Sequence, residues 1–200
     1  GMESLGPENM LMCAIADKPL LHAVLKVCQD VHIANLKAVL EAGHKFVRIS
    51  WFQCSESTGW SPDNFKEFFL PLIKESVDLV KSFDAYYRYQ DDGKMKNLFR
   101  HIADLKIDCI SGLQPPPVGD CDFGEIKKQY GDKFCLMGGI DPIYVMENGS
   151  PQDVFDAVKV IHEAVPDGLG VIVGTAEAFG PETPDENLYA LVKAVKNLWR

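Results

Sequence analysis

Residues 170–187 read GVIVGTAEAFGPETPDEN. The apolar run at the start of this stretch is typical of a buried β-strand. Thr183 and Pro184 then form a helix start, and Glu186 stands where a capping box would place it. Between the two elements lies Glu177, a carboxylate at the point where the strand ends. The stretch therefore predicts one strand followed by one helix, and Glu177 between them is a candidate functional residue.

The same alternation of strand and helix recurs along the chain. Two further helix starts, at Ser61-Pro62 and Ser150-Pro151, carry a capping serine before a proline. Apolar runs of the kind found in parallel strands lie between the helices. The strand candidates are FVRISWF (46–52), DAYYRYQ (84–90), IDCISGL (107–113), KFCLMGGI (133–140) and GLGVIVGTA (168–176). Five alternations predict a parallel sheet with crossover helices, either an open doubly wound sheet or a barrel. No G-x-G-x-x-G follows a strand, so a dinucleotide-binding sheet has no support.

Composition narrows the class of protein. The 200 residues are 46% hydrophobic and 24% charged, which is typical of a globular chain, and we expect a single domain over residues 1–200. The formal net charge of −9 argues against nucleic acid and anionic membranes as partners. No apolar run approaches the length of a bilayer span and no export signal is visible, so we expect a cytoplasmic protein.

The six cysteines are scattered, with no C-x-x-C and no zinc-like spacing. We expect all six to be reduced thiols. Cys109 and Cys135 lie inside apolar strand candidates, where a free cysteine is usually a small buried hydrophobe.

Several segments, in order, carry a resemblance to a known superfamily. They are AVLEAG before FVRIS, SPDNFKEFFLP, YYRYQDDG, LKIDCISGLQP, KKQYGDKFCLMGGID, NGSPQDVFDAV and GPETPDENLYALVKAV. Together they resemble the uroporphyrinogen decarboxylase superfamily, which includes methylcobalamin:coenzyme M methyltransferases. The resemblance implies an α/β fold, a TIM-type (β/α)8 barrel with its active site at the C-terminal strand ends. Such a barrel needs about 250 residues. We therefore expect an incomplete barrel of about five strands that lacks the N-terminal part.

The resemblance also singles out three positions at the barrel mouth. Glu177 aligns with a substrate-contacting His of the decarboxylases and a zinc-ligating Cys of the methyltransferases. Gln90 and Asp92 align with the other two zinc ligands of the methyltransferases, a His and a Cys. A thiolate zinc site is therefore not expected, and neither is another cofactor. Gln90, Asp92 and Glu177 carry oxygen donors, so binding of a divalent metal ion at these positions remains an alternative.

Asp92 and Glu177 are the catalytic candidates, because paired carboxylates perform acid–base chemistry when one pKa is raised. The alternative is that Asp92 caps the turn before Gly93 and that Glu177 pairs with a Lys or Arg. Four residues are candidates for substrate binding: Gln90, Ser55, Arg48 and Asp141. Ser55 lies near a substrate-contacting Ser of the decarboxylases, with Cys54 at that pattern's acidic position. Arg48 has a guanidinium suited to carboxylates, and Asp141 ends a strand.

Three functions stay open at this point. The first is a decarboxylase-like lyase acting on an undetermined small molecule; porphyrin biosynthesis is the setting of the family's name-giving reaction. The second is a corrinoid-linked methyltransferase or demethylase component with a corrinoid protein as partner. The third is a non-catalytic subunit with a vestigial site. If the full-length protein is an enzyme, we expect the 200-residue chain on its own to be inactive. We also expect a homodimer, because an incomplete barrel exposes its sheet edges.

Overall fold

The computed structural model describes residues 5–51 and 54–200. In these residues five parallel strands form one sheet in the sequential order β1-β2-β3-β4-β5. The strands are β1 (Phe46–Ser50), β2 (Tyr86–Gln90), β3 (Cys109–Leu113), β4 (Cys135–Ile140) and β5 (Val171–Thr175). A doubly wound sheet reverses its strand order at a switch point, whereas a barrel keeps chain order. The predicted incomplete barrel of five strands is therefore confirmed.

Helices connect the strands and cover one face of the sheet. They are α1 (Pro7–Ala16), α2 (Lys18–Glu41), α3 (Leu70–Ser82), α4 (Phe99–Ile102), α5 (Phe123–Tyr130), α6 (Pro151–Ala164) and α7 (Asp185–Leu198). A short helix (Pro62–Asn64) and a π-helical turn (Phe65–Phe69) lead into α3, and a second π-helical turn (Pro142–Glu147) follows β4. No helix in the described chain is long and apolar enough to cross a membrane.

The two serine helix starts are confirmed. The Ser61 hydroxyl accepts a hydrogen bond from the Asn64 amide, and Ser150 forms a capping box with Asp153. The predicted capping box at Thr183 and Glu186 is wrong. Helix α7 begins one residue later, after Pro184, without a side-chain cap, and the Thr183 hydroxyl is buried without a partner in the described chain. Helix α1 was not predicted from the sequence, and Phe52 of the first strand candidate lies outside the described residues.

The two faces of the sheet differ sharply in exposure. Toward the helices the strands present fully buried side chains, including Tyr87, Tyr89 and Leu136. The opposite face corresponds to the inside of a barrel, and there Phe46 and Tyr86 are 54% and 59% exposed. In a closed barrel this inner face is packed with side chains from all the strands. Here it is open, and the candidate functional residues lie on it or just above it.

Candidate active site at the strand ends

Two separate parts of the sheet meet through Gln90 and Glu177. Gln90 is the last residue of β2, and Glu177 follows the end of β5. The Gln90 amide nitrogen donates a hydrogen bond to Glu177 Oε1. The Gln90 amide oxygen accepts from the hydroxyl of Ser111 on β3, at 3.2 Å. Because both ends of the amide are engaged, Gln90 is fixed and in turn holds Glu177 at the mouth of the half barrel.

Asp92 belongs to the same cluster. Its carboxyl is half-buried, and burial raises its pKa above the usual range for aspartate, with the nearby negative charge of Glu177 as a second cause. Two carboxylates that share one site cannot both ionise without repulsion. Glu177 therefore acts electrostatically on Asp92, and burial together with this charge favours the protonated form of the Asp92 carboxyl.

This electrostatic arrangement predicts the effect of Asp92→Asn on stability. A carboxyl with a raised folded-state pKa favours folding when it is protonated, and that contribution is lost as the pH rises through the folded pKa. Asn mimics the protonated form, so Asp92→Asn should stabilise the protein at pH 7 to 8. The advantage should shrink as the pH falls toward about 3.9, the ordinary aspartate value. Urea unfolding of both proteins across this pH range checks the sign, and an Asn variant that is less stable at pH 8 would refute it.

The turn that carries Asp92 is held by a buried network. Asp91 has no exposed surface; its carboxylate accepts hydrogen bonds from the Asp92 amide at 2.9 Å and from the Tyr89 hydroxyl at 3.2 Å. Burial raises the pKa of Asp91 well above its ordinary value. The Gly93 amide donates to the side-chain oxygen of Gln114 at 2.7 Å. Asp91 and Gln114 therefore position Asp92, although in sequence Asp91 shows only the pattern of an ordinary turn.

Arg48 and Arg88 lie side by side on the inner face, because β1 and β2 pair them in register. Arg88 Nη1 donates to Met137 Sδ at 3.1 Å, whereas Arg88 Nε is buried without a partner in the described chain. Burial lowers the pKa of Arg88, and the like charge of Arg48 lowers it further, while Glu177 acts in the opposite direction. Within residues 5–51 and 54–200 neither arginine forms an ion pair.

The two other predicted residues have different surroundings. Ser55 is buried, its hydroxyl has no partner among the described residues, and it lies against Gly93 of the Asp92 turn. Asp141 caps the π-helical turn after β4 through amide hydrogen bonds from Ile143 and Tyr144, at 2.8 and 2.7 Å. Among the hydrogen bonds of the described chain, none joins Asp141 to the cluster. Its observed role is therefore helix capping, although its second carboxyl oxygen is buried and unpaired in this part of the chain.

The cluster does not fit a thiolate zinc site. The donors at the three relevant positions are an amide and two carboxylates, and zinc in such a role uses Cys and His. The part of the chain that the structure describes contains no group of three His, Cys, Asp or Glu side chains able to hold a metal. Gln90 also turns its amide nitrogen, not its oxygen, toward Glu177. An oxygen-ligated cation at Gln90, Asp92 and Glu177 would require this amide to rotate, and it stays a prediction.

A family model for uroporphyrinogen decarboxylase (URO-D) matches residues 1–198. The chain belongs to the URO-D family. A methylated-thiol–coenzyme M methyltransferase from Methanosarcina mazei is 29% identical over 191 residues, which are 96% of this chain and 48% of that protein. A uroporphyrinogen decarboxylase from Chlorobaculum tepidum is 28% identical over 183 residues, with 88% and 49% covered. Both name-giving activities of the superfamily therefore occur among the relatives of this URO-D chain.

A solved structure supports the fold of this URO-D chain. It is described as a methyltransferase from Methanosarcina mazei, with a TM-score of 0.81 at 21% sequence identity. The match covers 96% of this chain and 54% of that protein. The chain also spans about half the length of the curated relatives it matches. The five-stranded sheet thus corresponds to a part of a larger barrel of the URO-D type.

Proposed function

We propose that this URO-D chain carries the acid–base half of a decarboxylase-like site that binds a carboxylated small molecule at the mouth of the barrel. The observation that carries the proposal is the pairing of Arg48 and Arg88 below Asp92 and Glu177. Two guanidinium groups in register on neighbouring strands repel each other, and neither has an ion-pair partner in the described chain. A bound carboxylate relieves this repulsion, and arginine binds carboxylates with bidentate geometry.

The raised pKa of Asp92 supports the chemical half of the proposal. In a decarboxylation the bond to the carboxylate carbon breaks, carbon dioxide leaves, and the electron pair stays on the substrate carbon. That carbon then takes a proton from an acid. Asp92 is suited to be this acid because burial and the charge of Glu177 favour its protonated form. The hydrogen bonds that Gln90 forms with Glu177 and Ser111 support an enzyme over a non-catalytic subunit, whose site would have no need of an ordered cluster.

Glu177 also limits the substrate. A negative group at the mouth repels a ligand that carries many carboxylates, so a substrate with fewer carboxylates than uroporphyrinogen is favoured. We expect the purified 200-residue chain to form no coproporphyrinogen from uroporphyrinogen, because the remaining half of the barrel is needed to complete the site. Formation of coproporphyrinogen by this chain would contradict that expectation.

Binding of a carboxylated porphyrin tests the arginine pair directly. We would titrate the chain with coproporphyrin and follow the porphyrin absorbance and fluorescence. The double variant Arg48→Met/Arg88→Met should weaken binding by about tenfold to a hundredfold, since a hydrogen bond to a charged group contributes roughly 1.5–3 kcal/mol. The double Lys variant keeps both charges and should recover part of the affinity.

Lys159→Met is the matched control, because it removes a positive charge from an exposed position on α6. It should leave porphyrin binding unchanged. If the double Met variant binds as tightly as the unmodified chain, or if Lys159→Met weakens binding equally, the arginine pair is not the carboxylate site and the proposal fails.

A second candidate is a corrinoid-linked methyltransferase or demethylase component. A methylcobamide:CoM methyltransferase from Methanosarcina mazei, 29% identical over 182 residues, supports it and suggests a corrinoid protein as partner. Against it stand the oxygen donors at Gln90, Asp92 and Glu177. Binding of a purified corrinoid protein, measured by calorimetry, separates the two candidates. The decarboxylase-like function and the corrinoid-linked function are both compatible with the cytoplasmic location expected from the sequence.

A further inference from the structure

Two cysteines face the open inside of the half barrel below the carboxylate cluster. Cys109 on β3 and Cys135 on β4 are direct register partners in the parallel sheet. Neighbouring strands lie about 4.8 Å apart, and a disulfide bridges Cα atoms that are about 4.4–6.8 Å apart. In-register residues of parallel strands point to the same face, so the two thiols are neighbours. The spacing of neighbouring strands thus lies within the Cα range that a disulfide spans.

The thiols are also in different chemical states. The neighbouring Cys109 side chain lowers the pKa of Cys135 to about 7, with a smaller contribution from Lys127. The Cys135 side chain and burial raise the pKa of Cys109, whose thiol lies 3.8 Å from the Ile110 carbonyl oxygen. Cys135 is half-buried, whereas Cys109 is only 3% exposed. One thiol is thus accessible and partly ionised, and the other is held beside it.

The remaining buried cysteines have the opposite character. Burial raises the pKa of Cys54 well above its ordinary value and that of Cys121 to about 12, so neither is a thiolate at neutral pH. The sequence-based interpretation of Cys109 and Cys135 as small hydrophobes describes the burial of Cys109. It misses the pairing, because the register of two strands separated by a helix cannot be read from spacing.

We propose that Cys135 and Cys109 form a thiol–disulfide exchange site for small, soluble disulfides such as glutathione disulfide. The Cys135 thiolate attacks one sulfur of the disulfide, forms a mixed disulfide and releases one thiolate. Cys109 then loses its proton to solvent and attacks the Cys135 sulfur, which displaces the second thiolate. The two protein thiols are oxidised to a disulfide, and the small disulfide is reduced to two thiols.

The site is separate from the carboxylate cluster but adjacent to its arginine. Arg88 pairs with Cys109 in the register of β2 and β3 and reaches Met137 on β4. Its positive charge acts on Cys109. Oxidation therefore converts the Cys109 thiol beside Arg88 into a disulfide sulfur, so the redox state of the pair changes the surroundings of this arginine.

Intact mass spectrometry tests the exchange. The reduced 200-residue chain, freed of reductant, is incubated with glutathione disulfide at about pH 7.5, where a thiol of pKa near 7 is largely ionised, and is then digested. We expect the unmodified chain to lose two hydrogens without retaining glutathione, and the digest to contain the Cys109 and Cys135 peptides joined. If the chain retains all its thiols, or if the joined peptides contain other cysteines, the proposal is overturned.

Two single variants separate the roles of the thiols. Cys109→Ser lacks the resolving thiol and should accumulate a stable glutathione adduct on Cys135. Cys135→Ser should react at least about tenfold more slowly, because even an unperturbed thiol of pKa near 8.5 is only about one-tenth ionised at pH 7.5 and the pKa of Cys109 is raised. Cys28→Ser, on helix α2, is the control and should form the Cys109–Cys135 disulfide as the unmodified chain does. An adduct that fails to accumulate on Cys109→Ser, or equal rates for Cys135→Ser and the unmodified chain, would refute the assigned order.

Discussion

Gly112→Ala should unfold this protein or destabilise it by at least about 3 kcal/mol, a loss at the upper end of single-residue effects. Gly112 lies in β3 with a φ of +86°, a left-handed conformation that side chains rarely adopt. A Cβ atom at this position would meet the Asp91 carbonyl oxygen at 1.5 Å and the Asp91 carbonyl carbon at 2.7 Å. Both obstacles are backbone atoms, so no rotamer change relieves them.

The clash falls on the residue that positions Asp92. Asp91 is buried, and its carboxylate accepts hydrogen bonds from the Tyr89 hydroxyl and the Asp92 amide. Displacement of the Asp91 backbone therefore breaks a buried polar network, which is expensive in the low-dielectric interior. Any folded Gly112→Ala protein should also have a displaced Asp92. The substitution thus connects the stability of the fold to the geometry of the candidate site.

Gly174→Ala is the matched control. Gly174 also lies in a strand, β5, but its φ is not in the left-handed region, and apart from its two neighbours in sequence no described residue has an atom within 4 Å of the position that a Cβ would occupy. We expect a change in unfolding free energy of less than about 1 kcal/mol for this variant. Urea unfolding followed by circular dichroism measures both. Equal stability of the two alanine variants would contradict the close approach of Asp91 to Gly112.

Much of the fold could be predicted from local sequence because its signals are local. Apolar runs identify all five strands of the described sheet, and the serine-proline starts at Ser61 and Ser150 identify helix ends by hydrogen bonds that a few residues make among themselves. Thr183 carries the same signal, yet its hydroxyl is buried and the helix starts after Pro184. Tertiary packing determines where helix α7 begins, and a local sequence pattern cannot predict such packing.

For the candidate site, too, the sequence predicts some features and not others. Parallel strands bring their C-terminal ends to one edge, so the sequence could place Gln90, Asp92 and Glu177 near one another before their contacts were known. It could not assign Asp141 to helix capping or Asp91 to support of Asp92, because both carboxylates simply follow strands. The pairing of Arg48 with Arg88 depends on strand register, which is a three-dimensional property.

The second large effect that we expect is self-association. β1 and β5 are the edges of the described sheet, so each has one side without a strand partner. The inner face adds exposed apolar side chains, since Phe46, Tyr86 and Ile172 are 54%, 59% and 46% exposed. Unpaired edges and a large apolar face favour association with another chain. A second copy joined through a two-fold axis is the commonest solution.

Helix α2 is the other element that could cover an edge. It packs against α3, where the Gln29 side chain donates a hydrogen bond to the Leu72 carbonyl at 3.0 Å. His32 and Val39 of α2 also line a groove beside β1 together with Phe46. Phe46 is nevertheless more than half exposed. The helix thus leaves the inner face open, and the expectation of a homodimer stands.

Light scattering and sedimentation velocity at micromolar concentration measure this assembly. We expect a dimer or larger homo-oligomer whose interface exceeds roughly 2,000 Å², the size of obligate interfaces. Phe46→Glu should weaken association by about a hundredfold, or about 2.7 kcal/mol, because a charge would replace an exposed aromatic side chain that we expect the interface to bury. Val160→Glu, on α6 and 63% exposed, introduces the same charge on the helical layer and should leave the assembly intact.

The opposite result would have a definite structural meaning. If the unmodified chain is a stable monomer at micromolar concentration and does not aggregate, the exposed aromatic residues of the inner face are not an interface between copies. The edges of β1 and β5 would then have to be protected within one chain, by movement of α2 or by rearrangement of the sheet. Hydrogen exchange distinguishes these cases, because an edge strand covered by a partner protects its outward amides only at concentrations where the dimer forms.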